Sequence, residues 1–261
     1  MITSTVKHRV NTFPEIENVN LNRLFVFAES RSGSTWLINT LDSHQEIALL
    51  DEILNPDYIA NNHHVNNENK QSNQAVAVQK IENQIGHLNG KYKGCKILFP
   101  QAIRFFDFYE FILNYRNSFF IVLTRQNSIR AEISGLIASE YSRWHLAEKM
   151  EQQQISVDPS FLYERLLWRK FSKDFCINML ESYCDNILQI EYNELFSNIQ
   201  ETMGKISAFL SISPKAYTYS KEIKSNPYPL TELITNHEEC YSFFKDKPDY
   251  LSFFTNDNCQ E

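Results

Sequence analysis

The sequence predicts an α/β fold in three layers, a parallel sheet with helices on both of its faces. Short apolar runs of strand length recur along the chain: Leu24–Phe27, Ile47–Leu50, Gly94–Phe99, Ser118–Thr124 and Ile187–Tyr192. Segments with apolar residues at helical spacing lie between them, and strands alternating with helices build a parallel sheet through crossovers. The chain has 261 residues, 43% of them hydrophobic, enough to bury a large core in one α/β domain or two small ones. We read residues 1–261 as one domain: a polar lead-in over 1–21, a variable polar segment over 59–92, and a closing segment over 214–261.

The first strand, Leu24–Phe27, runs into a polar turn, Glu29-Ser30-Arg31-Ser32-Gly33. Ser34 and Thr35 then lead into Trp36, Leu37, Ile38 and Leu41, spaced as one apolar face of a helix. Strand, glycine turn and helix start together make an anion cradle. The first amides of a helix point outward, and the helix dipole adds about half a positive charge there. Arg31 adds a planar cation able to chelate an oxyanion through two donors. The ligand of such a cradle is a phosphate or a sulfate, and the alternative is a βα turn with no ligand. The nucleotide P-loop, GxxxxGK followed by Ser or Thr, requires lysine after its last glycine, whereas Gly33 is followed by Ser34.

The string Arg31-Ser32-Gly33-Ser34-Thr35-Trp36-Leu37 resembles the 5′-phosphosulfate loop of sulfotransferases that use 3′-phosphoadenosine 5′-phosphosulfate (PAPS). The match is to the bacterial branch, where arginine replaces the cytosolic enzymes' lysine. The resemblance implies a P-loop-like sulfotransferase fold. It also implies a donor site built from Arg31, Ser32, Gly33, Ser34, Thr35 and Trp36, with adenosine 3′,5′-bisphosphate as product and no metal.

Asp51 and Glu52 follow the second strand, at the end where open α/β sheets bind ligands. In the family a glutamate after this strand is the catalytic base, which implies Glu52. Asp51 takes that place if the register shifts by one, and a solvent-facing carboxylate is the alternative without function. Asn and Gln abound over 59–92, and we expect a cap near the acceptor site with a helix over 75–85. His63 and His64 stand side by side there, with no third ligand at a metal-site spacing. Lys96 lies on the next strand, where the family often carries a basic residue, so it is a candidate to touch the sulfonate or acceptor; a plain surface lysine is the alternative. Phe105, Phe106, Phe108, Phe111 and Ile112 are read as one helix.

Arg125 ends the strand Ser118–Thr124, and eight residues separate it from Ser134 on the next helix. An arginine at a strand tip and a serine about two helical turns along can converge on one anion. The pair resembles the family's 3′-phosphate element, in its longer spacing. Arg130 either helps hold the nucleotide or is a helix-surface charge. Tyr141, Arg143, Trp144 and His145 continue or end this helix. Asp158-Pro159 opens another by capping side chain and first-turn proline. Its Phe161, Trp168, Phe171, Phe175 and Met179 are read as a core-facing stripe. After the last strand, Tyr192-Asn193-Glu194-Leu195 and a helix over Ile199–Leu210 match the family's usual order, with Asn193 where an acid is common. The closing segment carries Pro227, Pro229, a helix over Thr231–Phe244, and Lys221 and Lys224 as weak candidates for the 3′-phosphate.

A formal charge of −7 argues against broad nucleic-acid binding. Five cysteines without a CxxC pair read as reduced thiols in a cytoplasmic protein. No window is apolar enough for a signal peptide or membrane span. The function implied is in-line transfer of a sulfuryl group from PAPS to a small-molecule acceptor such as a natural product, with a carbohydrate or lipid as alternative acceptor. A P-loop kinase or an inactive nucleotide-binding protein are alternatives of other classes. Nineteen Phe and thirteen Tyr point to a ring-rich core and an apolar acceptor site. Glu29, Asp51 and Asp57 favour a cationic acceptor.

Overall fold

The computed structural model describes residues 22–54, 81–105, 107–142, 151–214, 217–221 and 227–255. Five strands form the sheet: β1 (Arg23–Ala28), β2 (Ile47–Leu50), β3 (Tyr92–Leu98), β4 (Phe119–Thr124) and β5 (Asn186–Glu191). The first helices in chain order are α1 (Ser34–Asp42), α2 (Phe99–Phe105), α3 (Phe108–Tyr115), α4 (Ser128–Glu140) and α5 (Pro159–Tyr183). Then come α6 (Tyr192–Ser197), α7 (Ile199–Phe209), α8 (Leu230–Leu233), α9 (His237–Phe244) and α10 (Pro248–Thr255).

The strand order is β2-β3-β1-β4-β5 and all pairings are parallel, as the α/β reading requires. The chain leaves central β1 toward edge strand β2, returns to β3 beside β1, and then crosses to β4 on the other side. At that reversal the loops after β1 and β4 part at the carboxyl edge of the sheet, the crevice where open α/β sheets take ligands. β1 is apolar throughout Leu24–Ala28 because helices cover both faces, and each of these residues is fully buried. On one face Phe25 and Phe27 pack on α3 and α5, with Phe25 4.7 Å from the Tyr115 ring and 5.0 Å from the Phe111 ring. On the other, Leu24, Val26 and Ala28 meet Leu37, Ile38 and Leu41 of α1 and Met203 and Ile206 of α7. A third apolar cluster joins α4, α5 and the closing helices through Ile133, Leu166, Leu230 and Phe244.

Four expectations are corrected. The single helix over Phe105–Ile112 is two, because Asp107 leaves the helix and caps α3 by accepting from Glu110 N at 3.0 Å. The closing helix breaks at Ile234, whose strand-like backbone pairs with Ile155, and Thr235 N donates to Ile155 O at 2.9 Å. Residues 81–92 are not polar cap: Ile81 and Ile85 are in the core, Glu82 accepts from Arg23 Nη2 at 2.6 Å, and Tyr92 opens β3. The last and largest correction concerns α5. Its buried face is Leu162, Leu166, Arg169, Ser172, Cys176 and Leu180, while Phe161, Phe171 and Phe175 are 47, 53 and 38% exposed. Asp158 does cap α5, accepting from Ser160 N and Phe161 N. The rest of the 59–92 segment, with its two histidines, lies outside the described residues, as do Asp57 and 143–145.

Cys95, Cys176, Cys184 and Cys240 are free, buried thiols. Burial pushes Cys176 and Cys184 up to about 12 from an ordinary 9.0, Cys240 to about 11, and raises Cys95 as well. Each thiol keeps its proton when folded under conditions where the unfolded chain loses it. The stabilisation is therefore complete below pH 9.0 and is lost as pH rises through the folded values. The urea midpoint is expected to fall between about pH 8 and about pH 10.5, with reactivity of these four thiols appearing only as the chain unfolds.

Candidate active site

The turn after β1 is wound by two left-handed residues, Arg31 at φ 59° and Gly33 at φ 76°. Gly33 is the N-cap of α1, and Leu37 N donates to its carbonyl at 3.0 Å. Any side chain here would be strained by the dihedral, and its Cβ would come within 2.8 Å of the Phe196 ring. The left-handed conformation costs Arg31 about 1 kcal/mol. Arg125 Nη1 holds it by donating to Arg31 O at 2.9 Å. Ser32 tightens the turn by donating to Glu29 O at 2.6 Å. A loop curled this way into a helix N-terminus gathers main-chain amides around one centre, the geometry of an anion nest.

The second anion element meets the first. Arg31 Nε donates to Ser134 Oγ on α4 at 3.1 Å, which bridges residues far apart in sequence. Arg125 lies at the tip of β4, nearly buried, its guanidinium 4.2 Å from the Tyr192 ring centre. Arg31, Arg125 and Ser134 thus converge, Arg31 bonding Ser134 through its side chain and Arg125 through its carbonyl. Arg130 is also buried, not a helix-surface charge: Nη2 donates to Tyr228 O at 2.9 Å and ties α4 to the closing segment.

On the other side of the loop, Lys96 is 1% exposed and so no surface lysine. Its ammonium has three donors and three acceptors: Thr35 Oγ1 at 2.9 Å, Asp51 Oδ1 at 2.5 Å and Glu52 Oε1 at 3.1 Å. The other Glu52 oxygen accepts from Gln101 Nε2 at 3.0 Å, and Gln101 Oε1 accepts from Leu98 N. Glu52 is therefore held at both oxygens, while Asp51 is more exposed and has no second anchor among the described contacts. Lys96 couples the anion loop to this carboxylate pair.

Sequence reasoning missed the group beneath the loop. Glu29, Glu132 and Arg169 are all buried. Arg169 Nε bonds Glu29 Oε1 at 2.9 Å, Nη1 bonds Glu132 Oε1 at 3.0 Å, and Nη2 donates to Ser30 O at 2.8 Å. The other Glu29 oxygen accepts from Arg125 N at 2.6 Å. One guanidinium and one carboxylate thereby fix the ends of β1 and β4, with α4 and α5, to one another. The signal was available: Arg169 falls in register with Leu162, Leu166, Cys176 and Leu180.

The closing segment folds over α1. Trp36 Nε1 donates to Ser220 O at 3.0 Å, and the Trp36 ring stacks on Tyr219 at 6.0 Å and 11°. Ser34 and Trp36 are buried in this packing. Lys221 is exposed beside it, and Lys224 lies outside the described residues. Among the described residues, no group of three or more His, Cys, Asp or Glu is placed to hold a metal ion. None of their helices is long and apolar enough to cross a membrane.

No family model matches the chain, and no curated protein does. Solved structures do resemble it, three sulfotransferases among them. A sulfotransferase from Alicyclobacillus acidocaldarius aligns at TM-score 0.48 and 12% identity, over 90% of this chain and 96% of that one. The sulfotransferase domain of the Synechococcus PCC 7002 olefin synthase aligns at 0.42 and 13%, over 92% and 96%. The sulfotransferase domain of the curacin biosynthetic pathway aligns at 0.38 and 14%, over 73% and 74%.

Proposed function

We propose that the protein is a sulfotransferase that moves the sulfuryl group of PAPS to a hydroxyl or amine of a small acceptor, leaving adenosine 3′,5′-bisphosphate. The observation that carries this reading is the convergence of Arg31, Arg125 and Ser134 where the ends of β1 and β4 part, beside a glycine-wound helix start. Such a site has cations and donors for two anionic groups, one at the loop and one at α4. PAPS carries two such groups, and ATP has no 3′-phosphate. The acceptor class is a soluble small molecule, with natural products as the leading candidates.

The chemistry requires alignment, proton removal and stabilisation of charge on the leaving oxygen. PAPS, once bound, supplies the sulfur that the acceptor attacks; the bond from sulfur to the 5′-phosphate oxygen breaks. Glu52, oriented by Gln101, takes the acceptor's proton. Arg31 and the amides at Gly33–Trp36 take up the charge developing on the 5′-phosphate. Ser32 holds the turn that presents those amides. Lys96 keeps Thr35 and Glu52 in fixed relation across the reacting centre. Arg125, Ser134 and Arg130 form the 3′-phosphate side.

The kinase alternative fits these residues less well. Thr35 occupies the position whose hydroxyl a nucleotide P-loop gives to magnesium. Here that hydroxyl accepts from the Lys96 ammonium. Arg125→Ala tests the donor assignment: the dissociation constant for adenosine 3′,5′-bisphosphate is expected to rise at least about tenfold, the worth of a charge-assisted hydrogen bond. Unchanged affinity would place the 3′-phosphate elsewhere.

A further inference from the structure

Consecutive residues of an extended strand point to opposite faces, so Asp51 and Glu52 would part if β2 simply continued. Instead β2 ends at Leu50 and the chain turns, with Ile53 N donating to Asp51 O at 2.7 Å. Ile53 and Leu54 are buried in the core and anchor that turn. It brings both carboxylates to the one ammonium of Lys96 on β3, Asp51 at 2.5 Å and Glu52 at 3.1 Å. Thr35 Oγ1 takes the third ammonium donor, so Lys96 has none to spare.

The three charges are unequally buried. The Lys96 side chain is 1% exposed, that of Glu52 24% and that of Asp51 45%. A buried ammonium is tolerated while a counter-charge faces it, and removing the last one leaves a strongly destabilising ion. One carboxylate balances one ammonium, yet two are present. Glu52, the proposed base, is the one that becomes neutral, and on taking a proton it no longer balances Lys96. Asp51 keeps more of its hydration, and Lys96 is its side chain's one partner among the described residues.

We propose that Asp51 is a positioning residue for the base: it is the counter-ion that holds Lys96 while Glu52 is neutral. In the transfer step the proton passes from the acceptor to Glu52, and Lys96 and Asp51 exchange none. Lys96 then stays balanced by Asp51 and keeps its place against Thr35 and the Glu52 carboxyl. That Glu52 gains a proton rests on the sulfuryl-transfer reading; the charge balance itself does not.

Glu52→Gln stands in for the protonated base, and urea unfolding of the full chain reads the balance. Asp51→Asn and Glu52→Gln alone should each raise the unfolding constant modestly, since one carboxylate remains. The double variant should raise it at least about tenfold beyond the product of the two. Turning an amide toward Gln101 costs the same in both backgrounds and cancels. Restoring a carboxylate, as Asp51→Glu beside Glu52→Gln, should recover most of the loss. In a Lys96→Met chain the coupling should vanish or change sign. If the double variant does not fold, adding Lys96→Met should return a folded chain. Additive effects, coupling that persists with Lys96→Met, or a double variant that Lys96→Met fails to refold would overturn the proposal. Failure of adenosine 3′,5′-bisphosphate to bind the unsubstituted chain, with the coupling as expected, would support the counter-ion and remove the sulfuryl-transfer reading instead.

Discussion

Arg31→Ala is expected to abolish measurable turnover, lowering kcat by about 10²–10³-fold or more, the usual effect of deleting a preorganised donor to developing charge. Arg31 is wound into a left-handed turn, its carbonyl held by Arg125 and its guanidinium bonded to Ser134. One side chain therefore lies between both anion elements. The loss should fall on kcat and on donor affinity together, while folding stability changes by less than about 1 kcal/mol because the side chain spans a site and not the core. Arg31→Lys should recover part of the binding but little of the rate, since an ammonium lacks the guanidinium's fork. Single-turnover assays with labelled PAPS separate the two effects. Full activity in Arg31→Ala would remove the loop from the mechanism.

Arg169→Ala carries the largest expected loss of stability. Arg169 is buried between two buried carboxylates, and removing one partner of such a group leaves charges uncompensated, at about 3–5 kcal/mol. Urea unfolding should show this as a shift in midpoint. The effect also reaches the site, because Glu29 accepts from Arg125 N at 2.6 Å and Arg169 donates to Ser30 O. A triple replacement, Arg169→Met with Glu29→Gln and Glu132→Gln, is expected to regain much of the stability, since apolar or neutral substitutes avoid the desolvation of ions. It should not regain donor affinity if the charges serve to place Arg125. A stability loss below about 1 kcal/mol in Arg169→Ala would mean that the network is not the tie between β1, α4 and α5.

The parallel sheet was legible because a strand covered on both faces must be apolar along its length, and Leu24–Ala28 and Phe119–Leu123 are. The loop was legible for a different reason: a left-handed turn into a helix needs glycine, so Gly33 marks it. The spacing of Arg125 and Ser134 suggested that they could converge on one anion, but the bond from Arg31 to Ser134 was not legible, since it depends on how α4 lies against the loop. α5 misled for a physical reason. Two faces of that helix carry residues at helical spacing, and the bulkier aromatic one was read as core. The buried face instead includes Arg169 and Ser172, polar residues whose burial makes sense only once Glu29 and Glu132 arrive from elsewhere in the chain. The break at Ile234 was hidden for a similar reason, because its partner Ile155 is distant in sequence.

The central claim is that this site binds a nucleotide by its 3′-phosphate as well as its 5′ anion. Calorimetric titration of the full chain with adenosine 3′,5′-bisphosphate and with adenosine 5′-monophosphate tests it directly. The account predicts that the bisphosphate binds at least about tenfold more tightly, a difference lost in Arg125→Ala, with no requirement for magnesium. Equal affinities for the two nucleotides, or tight binding only of ATP with magnesium, would contradict it.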